Sequence, residues 1–179
     1  MRRLLMIGAA AALLAGCSAG GDQPAESAPT TAASTPQSST APEPPPAPEP
    51  VADGPCPYLA TDEVARANGQ RVAQVRLSAD QQPHPSCFFY RSDGNIQLTV
   101  RVYVGDPAVA TSLVDEAAPI DTSNPTEQPP GWQGGYESTD SGAVYAVAKG
   151  DSAVIVTTNQ QQSVKARSVA TAAISGLGM

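Results

Sequence analysis

The chain predicts an α+β domain: an antiparallel sheet of about five or six strands with two or three helices packed on it, preceded by a disordered tether. Three observations carry this expectation. Every Phe, Tyr and Trp lies beyond position 57, so the N-terminal third has no large side chains with which to build a core. Beyond that point several short runs alternate apolar and polar residues, while others repeat at the helical period. The strand-like runs fall into two groups, each followed by a helical one, rather than alternating as β-α-β units.

The N-terminus reads as an address. Arg2 and Arg3 precede an apolar run from Leu4 to Leu14, about half the roughly 20 residues that a spanning helix requires. A positive head, a short apolar stretch and small residues after it form the pattern of a secretory leader. Leu14-Ala15-Gly16-Cys17 resembles the lipobox of bacterial lipoproteins. That resemblance implies a signal peptide over 1–16, acyl chains such as palmitate on Cys17, and anchorage to the outer face of the cytoplasmic membrane. One acyl chain holds only reversibly, whereas two or more hold firmly. An ordinary secreted protein is the alternative.

Residues 17–53 read as the lipidated cysteine and a Pro-, Ala-, Ser- and Thr-rich linker that cannot fold alone. Its last stretch, Ala41 to Pro50, favours extended polyproline II. A passive spacer is the simplest reading; O-glycosylation of its threonines and capture by a Pro-reading partner are the alternatives.

The folded unit is expected over 54–179. Thr61 ahead of Asp62-Glu63, with Asn68-Gly69 at the end, marks a short capped helix. Arg71 to Leu77 alternates imperfectly, as a weak strand. Ser86 to Arg91 and Ile96 to Val104 flank Asp93-Gly94, a hairpin signal, and Ile96, Leu98, Val100, Val102 and Val104 occupy one side of the second strand. Asp106-Pro107 starts a helix that Pro119 ends. A loop over 119–135, rich in Pro and Gly, is longer than most in compact domains. Tyr136 to Asp140, Ala143 to Lys149 and Ser152 to Thr158 then form a three-strand meander. Ser163 is expected to cap a last helix with Ala166, Ala170, Ala173, Ile174 and Leu177 on one stripe.

Cysteine arithmetic agrees with export. Disulfides persist in oxidising compartments, and with Cys17 lipidated the remaining pair is Cys56 and Cys87. Their bridge would close a loop of about 31 residues, adding roughly 3 to 4 kcal/mol. A reactive or metal-binding thiol is the rival reading, but His84 is the single histidine available to it.

Chemistry is sparse. No metal, phosphate-loop, hydrolase-elbow or calcium motif occurs, and no cofactor or metal site is expected. The formal charge of -7 without a basic stripe argues against nucleic acid as a partner. Asp80, His84 and Ser86 supply the residue types of a nucleophilic triad, but they crowd a stretch stiffened by Pro83 and Pro85. The structural alternative is a turn that presents Cys87 to Cys56. Trp132, the single tryptophan, sits with Tyr136 at the end of the long loop. These two are the candidate partner or ligand contacts, unless the indole folds back over the core.

Asp-Gly-Pro-Cys-Pro-Tyr-Leu (53–59), Asn-Gly-Gln-Arg-Val (68–72), Pro-His-Pro-Ser-Cys-Phe-Phe-Tyr-Arg (83–91) and Leu-Thr-Val-Arg-Val-Tyr-Val-Gly (98–105) resemble a small lipoprotein domain of unknown function found in mycobacteria and related actinobacteria. More loosely, the chain is similar to lipoproteins of PsbP/Mog1-like fold, an antiparallel sheet flanked by helices. The resemblance implies paired Cys56 and Cys87 and brings no activity. The expectation is therefore a non-enzymatic, membrane-anchored envelope module that binds an envelope protein or an apolar lipid ligand. The alternatives are an envelope hydrolase using Ser86, His84 and Asp80, or a structural or antigenic surface protein.

Overall fold

A computed structural model describes residues 42–179. Its elements in chain order are β1 (Ala52–Asp53), α1 (Thr61–Asn68), β2 (Gln74–Leu77), β3 (Cys87–Tyr90), β4 (Ile96–Val104), α2 (Pro107–Ala117), β5 (Asn124–Thr126), β6 (Gln133–Thr139), β7 (Gly142–Lys149), β8 (Ser152–Thr158) and α3 (Ser163–Leu177). The leader, Cys17 and the linker as far as residue 41 lie outside the described residues.

The fold is α+β, with three helices and one antiparallel sheet in the order β1-β2-β3-β4-β8-β7-β6-β5. The sheet has eight strands, not the five or six expected. The two additional strands, β1 and β5, are its edges, and both are too short to show a period-two pattern. They fall in segments whose prolines argued for linker and loop. Backbone pairing sets Ala52 opposite Leu77 and Pro125 opposite Gly135, and the side chains of Asp53 and Thr126 add contacts to Gln74, Arg76 and Tyr145. Proline costs little at an edge, where its missing N–H can face solvent. The folded chain accordingly starts before residue 54.

The centre of the sheet is where β4 lies antiparallel to β8 over seven residue pairs, Leu98 opposite Thr158 through Val104 opposite Ser152. Alternation along these strands supplies two cores. Leu98, Val100, Val102, Val154, Val156, Tyr145 and Val147 face α1 and α3, together with Phe89 and the alanine stripe of α3. Tyr103, Ile155, Ala146 and Ala153 face α2 through Val109, Ala110, Leu113 and Val114. Helices therefore cover both sheet faces.

The helix ends follow local chemistry with two corrections. The Asp106 carboxylate accepts from the N–H groups of Ala108 and Val109, at 2.8 and 3.4 Å, as its N-cap role predicts. Neither Thr61 nor Ser163 caps its helix; each is the first helical residue, and Ala60 and Gln162 hold the cap positions without side-chain bonds. Asp62 and Glu63 still lie in the first turn of α1, where the helix dipole favours acids. Gly69 closes α1 in the left-handed conformation, φ 73°. Gly176 allows α3 to meet the chain before α1, since a Cβ there would fall 2.0 Å from the Tyr58 carbonyl oxygen.

A buried polar network pins α1 to the middle of the sheet. The Asn68 Nδ2 donates to Gln97 Oε1 at 3.0 Å, Thr158 Oγ1 donates to Asn68 Oδ1, and Gln97 Nε2 donates to the Arg71 carbonyl at 2.9 Å. The Lys165 ammonium in α3 reaches the Asn68 carbonyl at 3.1 Å. Buried amides satisfied in this way specify one arrangement of the elements that carry them.

Candidate functional site between α2 and the β5–β6 edge

Three places could hold chemistry or a ligand: the 80–86 turn, the tyrosines of β6 and β7, and a groove beside α2. The turn does not form a triad. The Ser86 side chain is 0% exposed and its Oγ has no hydrogen-bond partner. Its backbone N–H instead donates to Ser78 Oγ at 2.8 Å. The His84 ring meets Tyr58 edge-on at 6.5 Å, and the Tyr58 hydroxyl donates to the Pro85 carbonyl at 2.9 Å. Burial pushes the Tyr58 phenol well above its ordinary range. No ion pair joins His84 to Asp80 among the described residues. The turn packs over Tyr58 and leads into Cys87, which is disulfide-bonded to Cys56.

Trp132 is in the core at 2% exposure, within the cluster under α3. It is therefore no surface contact in this structure, in keeping with the fold-back alternative. The physical reason is local: its backbone N–H donates to the Pro129 carbonyl at 3.0 Å, turning the chain inward just before β6. The Lys149 ammonium lies over the ring, 6.0 Å from its centroid. Tyr136 is half-buried and stacks on Tyr145 at 6.3 Å. With Ser163, Val164 and Arg167 these tyrosines line a cavity of about 230 Å³ at the start of α3. The Tyr145 hydroxyl is held by Thr126 and by the Gln128 carbonyl, so it ties the loop before β6 to the sheet. Desolvation raises the Tyr145 phenol, against the opposing effects of the Thr126 hydroxyl and the Arg167 charge.

A concavity of about 420 Å³ lies on the opposite face. Val114 and Ala118 on α2 and its end form one wall, Pro125 and Ala148 another, and Asp115 and Gln133 stand among them as polar groups. Ile120 belongs to the same lining and is 79% exposed. Its turn is fixed from below, because Ser123 N–H bonds to the Pro119 carbonyl at 2.8 Å and Ser123 Oγ to the Ala118 carbonyl at 3.1 Å. Two glycines let α2 and this turn approach β6. A Cβ on Gly134 would fall 2.9 Å from Val114 Cγ1, and one on Gly135 would fall 2.6 Å from Ser123 Oγ. Sequence reasoning missed Ile120 and the groove. The usable signals were Gly134-Gly135 at a strand start and a large apolar residue directly after the proline that ends α2.

Among the described residues no three His, Cys, Asp or Glu side chains gather in a metal-holding group, and no helix is long and apolar enough to cross a membrane. No curated protein matches the chain. The model of the family described as domain of unknown function (DUF2020) matches residues 39–179, and the chain belongs to that family.

Proposed function

We propose that this chain is an exported lipoprotein of an actinobacterial-type envelope, anchored through Cys17, whose domain binds an apolar ligand non-covalently in the α2 groove. The observation that carries the binding reading is the groove itself, a 420 Å³ concavity with Ile120 standing almost free at its lining. Ligand sites are commonly concave, with apolar walls and a few polar groups that fix orientation, and this groove sets Val114, Ala118, Ile120, Pro125 and Ala148 among Asp115 and Gln133. Export is supported by the leader, by the Leu14-Ala15-Gly16-Cys17 motif, and by a disulfide that an oxidising compartment would preserve. Asp115 on the groove and the formal charge of -7 disfavour an anion, so the ligand is an acyl chain carrying a neutral or zwitterionic head.

The test is a titration with dihexanoyl phosphatidylethanolamine below its micelle concentration, followed by methyl NMR. Shifts should concentrate on Val114, Ala118, Ile120 and Ala148, and Ile120→Asp should weaken binding by about ten- to a hundred-fold, since burying a side chain of this size is worth roughly 1.5–3 kcal/mol. Shifts confined to other surfaces, or none at all, would refute the assignment.

A further inference from the structure

The polyproline stretch before β1 is part of the molecule rather than a spacer leading to it. Arg101 lies in the middle of β4 on the face that carries α2. Its Nη2 donates to the carbonyls of two successive residues, Pro45 at 2.8 Å and Pro46 at 2.9 Å. Among the described residues it makes no ion pair within 4 Å; burial disfavours its charge, against the smaller opposing pull of Asp80 and Glu116. Polyproline II has no internal hydrogen bonds, so its carbonyls are free to accept from a side chain of this kind.

The path of the segment fits the face it crosses. From Arg101 the chain must reach β1, where Val51 N–H bonds to the Leu77 carbonyl at 2.9 Å. That spans three strand spacings, roughly 14 Å, and the six residue steps from Pro46 to Ala52 reach about 19 Å in polyproline II. The segment therefore passes over β3 and β2. Helix α2 packs on β6, β7 and β8 and leaves this half of the face to something else. Phe88 of β3 lies on this face, opposite Thr99, and is only 5% exposed. Pro44, Pro45, Pro48 and Pro50 are half-buried, while Pro42, Glu43, Pro46, Ala47 and Glu49 are exposed; the exposed Glu43, Pro46 and Glu49, three residues apart, fit the solvent side of a threefold helix.

We propose that the sheet face around Arg101 and Phe88 is a polyproline-recognition site, occupied by the chain's own residues 42–50 as an intramolecular ligand. An outside Pro-rich segment gains the site only by displacing this strap. A short flexible connection gives an internal ligand an effective concentration on the order of millimolar, so even a contact with an intrinsic dissociation constant near 0.1 mM keeps the strap seated about nine-tenths of the time.

The experiment uses the full chain, Cys17→Ser and 15N-labelled, and reads amide order parameters at Glu43, Ala47 and Glu49. In the parent they should match the sheet, about 0.85; with Arg101→Ala they should fall below about 0.6 while β4 and β8 stay rigid. A second variant, P45G/P46G, leaves Arg101 in place and should also free the strap. A peptide of residues 42–50 added to P45G/P46G should shift Phe88, Thr99 and Arg101 saturably, and its apparent affinity for the parent should be about ten-fold weaker. A mobile strap in the parent, a strap unmoved by Arg101→Ala, or a peptide that leaves the freed site unshifted would each overturn the proposal.

Discussion

At the residue level the side chains that looked most functional turn out to be the best packed. Trp132 and Ser86 were conspicuous by type, one as the lone indole and the other beside the lone histidine, yet both are buried. Type is legible in a sequence, but direction is not: whether Trp132 points outward depends on the turn after Pro129, which no periodicity encodes. Ile120, exposed at the groove, passed unnoticed because a single apolar residue after a proline has no pattern around it. Burial of Tyr58 carries a pH prediction. Its folded phenol titrates above the unfolded value of about 10, so its contribution to stability is complete below that pH and is lost as pH rises through the folded value. Urea midpoints should therefore fall as pH rises above about 10, and Tyr58→Phe should flatten that fall; an equally steep loss in the variant would assign it elsewhere. In the polar network, Asn68→Leu leaves Gln97 and Thr158 short of partners and should cost about 2–3 kcal/mol in denaturant unfolding.

Elements with their own internal pattern were legible and elements without one were not. Leu98, Val100 and Val102 of β4, the Asp106-Pro107 start of α2 and the alanine stripe of α3 each appear where the pattern places them. A register shift against β3, however, sets Ile96 opposite Tyr90, off the Leu98 side, and leaves it 42% exposed, as is Val104 at the other end. The edge strands β1 and β5 do not announce themselves, because two or three residues are too few to show side-chain alternation. β6 begins at Gln133 rather than Tyr136, since Gly134 and Gly135 weaken the strand signal while allowing close packing. The groove inherits that illegibility, being built where α2, β5 and β6 converge. Gly134→Ala would set a Cβ 2.1 Å from the Ala146 carbonyl oxygen. It should cost about 1–3 kcal/mol and shift the methyls of Val114, while a neutral result would show that β6 yields easily. The disulfide ties the chain before α1 to β3 across a separation of 31 residues. Replacing both cysteines by serine should lower unfolding free energy by about 3–4 kcal/mol, and an unchanged value would mean that the bridge is absent in solution.

For the whole molecule, the class of fold followed from composition and from the order of patterned segments, whereas the strand count and the reach of the folded unit into the Pro-rich stretch did not. Pro44 to Pro50 carry every compositional mark of a spacer, and only the Arg101 guanidinium, distant in sequence, reveals that they are seated. The proposed function depends on lipid at Cys17, which would place the domain in the envelope beside apolar ligands for the groove. Metabolic labelling with a clickable fatty acid tests this most directly. The parent chain should carry the label and sediment with membranes, and Cys17→Ser should do neither. Equal labelling of both, or an unlabelled parent retaining residues 1–16 in the cytosol, would contradict it.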